Sequence, residues 1–178
     1  MLICTTMRLL ATLPDLSEIK SMPASEQPAY NARQAARVVL FDGPKIALIH
    51  VSRHNYYMLP GGGIEEDNIL ASLRREINEE LGCSINPKVR ELGKVIVYFN
   101  RWMTRQTDYG YIAQKTTGLS PINTTEFEKA EGHKPFWCSD LNQAIALVHS
   151  SKPRFADGQL IRERELIFLH QAKTVHVS

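Results

Sequence analysis

Residues Gly61 to Cys83 read GGGIEEDNILASLRREINEELGC, and this segment decides the fold. Leu70, Leu73, Ile77 and Leu81 recur at steps of three and four, the spacing of one apolar stripe on a helix. The pattern predicts a helix over Ile69–Leu81, capped by Asp67 or Asn68 and closed by Gly82 in left-handed backbone. At about 100° per residue, Glu76, Glu79 and Glu80 share roughly one third of the circumference, beside the apolar stripe. Like charges so placed repel one another unless protons or cations intervene. Oxygen-only ligands suit Mg²⁺ or Mn²⁺ rather than zinc. The glycine turn ahead of the helix lets backbone approach a phosphate or offer a carbonyl to a metal. Arg75 lies four residues before Glu79 and is placed to brace it. Glutamate pairs are common on solvated helix faces. The arginine, the capping glycine and the glycine turn on one helix favour the functional reading.

Working outward, RVVLFD (Arg37–Asp42) and KIALIHV (Lys45–Val51) flank Gly43-Pro44 and predict a hairpin. NYYMLP then runs as a short strand into the glycines. Beyond the helix, VIVYF (Val95–Phe99) is apolar on both strand faces and reads as a central, fully covered strand. Met103–Thr116 is its expected antiparallel partner across Asn100–Trp102. Ser120–Pro135 reads as a long irregular loop, PFWCS as a last strand, and Asp140–Val148 and Gln159–Gln171 as helices. Residues 1–33 read as an N-terminal extension, with a strand over Leu2–Leu10 and a proline-bearing linker; 34–172 form the domain and 173–178 a tail.

The 178 residues suit one domain at roughly 150 residues each. Lys+Arg 21 against Asp+Glu 19 leaves +2, too balanced to advertise a nucleic-acid or membrane surface. Cys4, Cys83 and Cys138 are odd in number and widely spaced, which predicts reduced thiols and a cytoplasmic location. No apolar run approaches the roughly 20 residues that span a bilayer. The first residues lack a basic start, and Arg8 interrupts them, so a signal peptide is poorly supported.

The segment resembles the signature of the Nudix hydrolases, Gly-x5-Glu-x7-Arg-Glu-U-x-Glu-Glu-x-Gly-U with U bulky and apolar. Gly61, Asp67, Arg75-Glu76-Ile77, Glu79-Glu80 and Gly82-Cys83 follow it in order. Asp67 stands where the family has glutamate, and Cys83 is a small apolar ending. Aligned on the common Pro-Gly-Gly form, the chain is one residue short before the helix. The resemblance covers about residues 33–171. It implies an α/β/α sandwich with a mixed, partly antiparallel sheet, and metal-dependent cleavage of a diphosphate linkage in a nucleoside diphosphate joined to another group.

By the same resemblance, Glu76, Glu79 and Glu80, with a carbonyl from Gly61 or Gly62, hold Mg²⁺, with Mn²⁺ a possible substitute. Glu76, Glu80, Arg75 and Glu131 are the implied catalytic residues, and Gly62 and Gly63 border the substrate. Glu76 and Glu131 are the two candidates for general base. Many members recruit a further acid from the late loop, where Glu126, Glu128 and Glu131 lie; Glu131-Gly132, six residues before Trp137, is similar in spacing to triphosphate-cleaving members. An exposed loop acid is the competing reading.

Arg33 and Arg37 flank the first core strand and could meet substrate phosphates; Arg37 is the better candidate because a strand holds it, but a surface salt bridge is the commoner fate of either. Tyr56, Tyr57, Tyr109 and Tyr111 offer flat faces to a base, or pack in the core. His50, His54 and His133 show no metal spacing and read as incidental, and Cys83 as a packed small hydrophobe. The expected partner is a small-molecule nucleotide, with a homodimer possible. A nucleotide-sensing module without turnover is the alternative; the intact glutamates weigh against it. A prenyl diphosphate isomerase lacks a well-placed cysteine.

Overall fold

The computed structural model describes residues 7–14, 28–65, 68–116, 118 and 120–176. Strands β1 (Leu9–Leu13), β2 (Asn31–Asp42), β3 (Lys45–Val51), β4 (Tyr56–Met58), β6 (Arg90–Phe99) and β7 (Thr104–Thr116) lie in the order β1-β6-β7-β2-β3-β4. The short β5 (Ser84–Ile85) pairs with β7, and β8 (His133–Cys138) pairs with β3. The β1–β6 and β2–β7 ladders are parallel and the others antiparallel, so the sheet is mixed. With its packed helices the chain forms an α/β/α sandwich, as the motif implied.

Helix α1 spans Ile69–Leu81, the bounds read from the sequence. Asn68 caps it: the N–H groups of Leu70 and Ala71 both donate to its Oδ1 at 3.1 Å. Asp67, the other candidate cap, lies outside the described residues. Gly82 closes the helix at φ 63°. Leu73 and Ile77 are fully buried, and α1 packs on β2 and β5. Each such side chain contributes roughly 1.5–3 kcal/mol by leaving water.

The hairpin β2–β3 forms with Phe41 opposite Ile46. Past β4, the chain turns back along β2: Ala36 N–H donates to Gly62 O, Val38 N–H to Pro60 O, and Ile64 N–H to Gln34 O. The glycine segment is therefore held by the sheet as well as by the helix that follows it.

Four expectations change. Of the strand expected over Leu2–Leu10, residues 2–6 lie outside the described residues and Met7 and Arg8 are not in a strand; β1 begins at Leu9, runs to Leu13 and lies parallel against β6, and β2 begins at Asn31. Strand β6 is central, yet Ile96 and Tyr98 are only half-buried while Val95, Val97 and Phe99 are buried, so one face alone is covered. The late segment is not wholly irregular: Thr125 builds a capping box with Glu128 that starts helix α2 (Glu126–Glu131). Helix α3 (Leu141–Ser150) has Asp140 as cap, and α4 runs Ala156–His176, well beyond Gln171.

Candidate active site

A cleft of about 680 Å³ opens beside the glycine segment and the second half of α1. Glu76, Glu79 and Glu80 all line it, together with Gly61, Gly62, Gly63 and Arg75. Arg75 braces two carboxylates, not one: Nη1 reaches Glu79 Oε2 at 2.8 Å and Nη2 reaches Glu76 Oε1 at 2.7 Å. Glu80 is buried, and Gly61 N–H donates to its Oε2 at 2.8 Å. Burial pushes the Glu80 carboxyl up to about 8, against the pull of that N–H and of Arg37. Burial also raises Glu76, with Arg75 opposing it.

Two glycines are fixed by close approach. Gly61 sits at φ 127°, and a Cβ there would overlap the Ala36 carbonyl oxygen. A Cβ on Gly62 would land on the Glu76 carboxyl group, so glycine lets that carboxylate lie against the backbone. Gly63 bridges Ala35.

Arg37 lines the cleft, and its ion pair is buried rather than at the surface. It is 8% exposed, its Nη1 donates to Gly61 O, and its Nε faces Asp108 Oδ1 at 3.4 Å. Its donors thus brace the floor of the cleft, because Asp108 on β7 draws the guanidinium inward. Arg37 occupies one lone pair of the Gly61 carbonyl, and the Gly62 carbonyl is used by Ala36 N–H. Arg33, four residues earlier on the same face of β2, lines the cleft as an exposed residue and forms no ion pair among the described residues.

Beneath the cleft lies a charged group that the sequence reading did not find. Asp108 is fully buried and accepts from Gln106 Nε2 at 2.9 Å and from Arg164 Nη1 at 3.1 and 3.2 Å. Arg164 also pairs with buried Glu165. Burial works against the Arg164 charge, yet Asp108 and Glu165 hold its pKa above the usual value. Phe168, one helical turn on, fills the space a side chain at Gly110 would need. This contact sets α4 directly on β7 and brings Arg164 over Asp108. The available signal was an aspartate amid a β-like run, at Asp108.

The late acids separate. Glu131 pairs with Arg53 at 3.0 Å and with His54, all within the cleft lining. Glu126 is exposed and bonds Lys129 Nζ at 2.6 Å. Glu128 lines the cleft and is held by its capping box, Oε2 accepting from Thr125 N–H at 2.7 Å. Among the described residues, one group of three or more His, Cys, Asp or Glu side chains has donor atoms within 4.8 Å of one another: Glu80, Glu128 and His133. The expected Glu76–Glu79–Glu80 set lines the same cleft, with one oxygen each of Glu76 and Glu79 bonded to Arg75. His54 and His133, neither singled out for the site, both line the cleft, and His54 pairs with Glu131. Sequence spacing could not join helix α1 to the start of β8.

The far wall is aromatic. Phe155 lies within ring contact of Tyr56 (5.9 Å), His54 (5.0 Å) and Trp102 (6.4 Å), and Trp102 meets Phe99 at 5.5 Å. Trp102 is 51% exposed and Phe127 on α2 is 71% exposed, both facing the cleft. Of the tyrosines singled out, only Tyr56 lines it. Tyr57 stacks on His50, and Tyr109 and Tyr111 are buried in the core. Cys83 is buried, and burial pushes its thiol up.

A carboxylate-bearing helix that follows a sheet-pinned glycine turn in an α/β/α sandwich defines the class, and the family model agrees. The NUDIX domain model matches residues 31–157, and the chain belongs to that family. Its structural neighbours are Nudix hydrolases. The NUDIX hydrolase from Nitrosomonas europaea is 16% identical, with a TM-score of 0.59 over 83% of this chain and 90% of that one. A MutT NUDIX hydrolase from Burkholderia pseudomallei is 19% identical, with a TM-score of 0.54 over 75% and 98%. An ADP-ribose pyrophosphatase from Streptococcus suis 89-1591 is 17% identical, with a TM-score of 0.50 over 79% and 92%. At these identities the likeness establishes the fold. No curated protein sequence matches the chain.

Proposed function

We propose that the protein hydrolyses the diphosphate linkage of a nucleoside diphosphate joined to a second group. The observation that carries this reading is the opening of Glu76, Glu79 and Glu80 into one cleft with the glycine turn and an aromatic wall. The carboxylates suit a divalent cation, Mg²⁺ or in its place Mn²⁺. Such a cation supplies neutralisation of the diphosphate and activation of the attacking water. Arg33 meets the phosphates, and the exposed faces of Trp102 and Phe127 take the base by stacking. Gly62 keeps the cleft floor at backbone height beside Glu76. The buried, unpaired thiols of Cys83 and Cys138 suit a reducing cytoplasm.

The test is a panel with Mg²⁺ (nucleoside triphosphates, nucleotide sugars including ADP-ribose, dinucleoside polyphosphates, coenzyme A), with each product identified by mass. Cleavage of the diphosphate linkage is expected, with none in excess chelator and recovery on adding Mg²⁺ or Mn²⁺. Binding across the panel without turnover would replace this reading by a nucleotide sensor, and full turnover in chelator would remove the metal.

Glu76 is the general base in this reading. It is half-buried on a rigid helix with its pKa raised, and Arg75 engages only its Oε1, whereas both oxygens of Glu131 are taken, Oε1 by Arg53 and Oε2 by His54. Glu76→Gln is expected to lose about 10²–10⁴-fold in kcat, the usual range for general-base catalysis. Glu131→Gln should lose far less. Steady-state kinetics at saturating Mg²⁺ compares them; a larger loss in Glu131→Gln assigns the base to the end of α2.

A further inference from the structure

We propose that Asp108 is a positioning residue for the hydrolysis: acting through Arg37, it sets the peptide groups of Gly61 and, through them, the carboxylate of Glu80. The proposal rests on the hydrolase reading and adds to it a residue that does not itself line the cleft.

The linkage starts at Gly61. Its backbone, at φ 127°, carries no side chain to restrict it, so its peptide groups point where outside partners hold them. Both neighbours are pinned by β2, Val38 N–H donating to Pro60 O and Ala36 N–H to Gly62 O. The Gly61 carbonyl belongs to no such rung. Among the described residues it accepts from Arg37 Nη1 alone, while Gly61 N–H donates to Glu80 Oε2 at 2.8 Å. One residue thus joins a guanidinium on β2 to a buried glutamate on α1.

Arg37 has a single counter-charge among the described residues, Asp108. The 3.4 Å from Nε to Oδ1 is long for a hydrogen bond, so the carboxylate acts on the guanidinium chiefly by charge. Both groups are buried, where water screens that attraction least. Asp108 is itself held from two further sides. Gln106 Nε2 on β7 and Arg164 Nη1 on α4 each donate to both of its oxygens. Arg164 has a second partner in Glu165, and Arg37 has none among the described residues. Loss of the Asp108 charge therefore frees Arg37, whereas loss of the Glu165 charge leaves Arg37 and Gly61 as they are.

The experiment compares Asp108→Asn with Glu165→Gln in the whole chain. Each keeps the side chain's shape and removes one negative charge from the same buried group. Both should lower stability in urea unfolding. Only Asp108→Asn is expected to lower kcat, by about tenfold to 10²-fold, the cost of a small misplacement at the reacting centre, with KM nearly unchanged. A second readout is independent of turnover: in metal-free protein labelled with ¹³C-glycine, the Gly61 carbonyl resonance should move in Asp108→Asn and stay in Glu165→Gln. Arg37→Lys keeps the charge, but one ammonium cannot serve Asp108 and the Gly61 carbonyl together. It should move the same resonance and lower kcat, and it carries the test if Asp108→Asn does not fold. Equal kcat losses in Asp108→Asn and Glu165→Gln overturn the proposal, because lost stability would explain both. An unmoved Gly61 resonance overturns it too, as does an Arg37→Lys effect confined to KM. With turnover in the native protein, each of these results leaves the hydrolase reading standing. A resonance that moves as expected in a protein that cleaves nothing on the panel removes the hydrolase reading and keeps the linkage from Asp108 to Gly61.

Discussion

Replacing Glu80 by glutamine is expected to lower kcat by about 10²–10³-fold with the fold retained, the loss that follows from removing several kcal/mol of metal-borne stabilisation. Glutamine keeps the shape and can still accept from Gly61 N–H, so the glycine turn stays in place. What disappears is the charge. Near-native kcat in Glu80→Gln would exclude it from the chemistry.

The same variant carries a pH signature in metal-free protein. The Glu80 carboxyl titrates near 8 when folded against an ordinary value of 4.5, because burial disfavours its charge. The folded state therefore holds a proton over that window that the unfolded chain has released. Stability from this group is complete below pH 4.5 and is lost as pH rises through about 8. Denaturation of Glu80→Gln at a series of pH values should lack that decline, and an unchanged slope would refute it.

Arg164→Leu is expected to cost about 3–5 kcal/mol of stability, the usual result of removing one member of a buried ion pair. Arg164 is 2% exposed and is the charge that both Asp108 and Glu165 face. Without it Glu165 loses its ion partner, and among the described residues Asp108 keeps only Arg37 and Gln106. Urea unfolding measures the loss. Lys129→Ala, which breaks an exposed pair with Glu126, is the comparison and should be nearly silent. Equal effects in the two variants would mean that the buried group is not what holds α4 to β7.

Helix α1 was legible to the residue because its determinants are local: an apolar period, an asparagine cap and a closing glycine lie within fifteen positions of one another. The β2–β3 hairpin was legible for the same reason. Arg37 was read as a phosphate contact or a surface ion pair, since a strand sequence says that it alternates but not what faces it. Its inward turn depends on Asp108, which the parallel β2–β7 register brings alongside. His133 and Trp102 were missed on the same ground. Each acquires its meaning from elements distant in sequence, and no spacing rule connects α1, α2 and β8. The α2 turn itself carried a local signal, Thr125 three residues before Glu128, which the polar composition of the segment obscured.

The β2–β7 ladder has a consequence for how this chain comes into being. Asn31 pairs with Thr104 and Phe41 with Gln114, so every rung joins positions about seventy residues apart, and parallel pairing of that range is slow to form. During synthesis β2 leaves the ribosome long before its partner exists. Its second half, Ala35–Phe41, is nearly all apolar and ends fully buried, so for that interval it is exposed and sticky. The early hairpin with β3 shields only the Phe41–Asp42 end. The nascent chain is therefore most exposed to aggregation between emergence of β2 and completion of β7, after which the floor under the cleft can close.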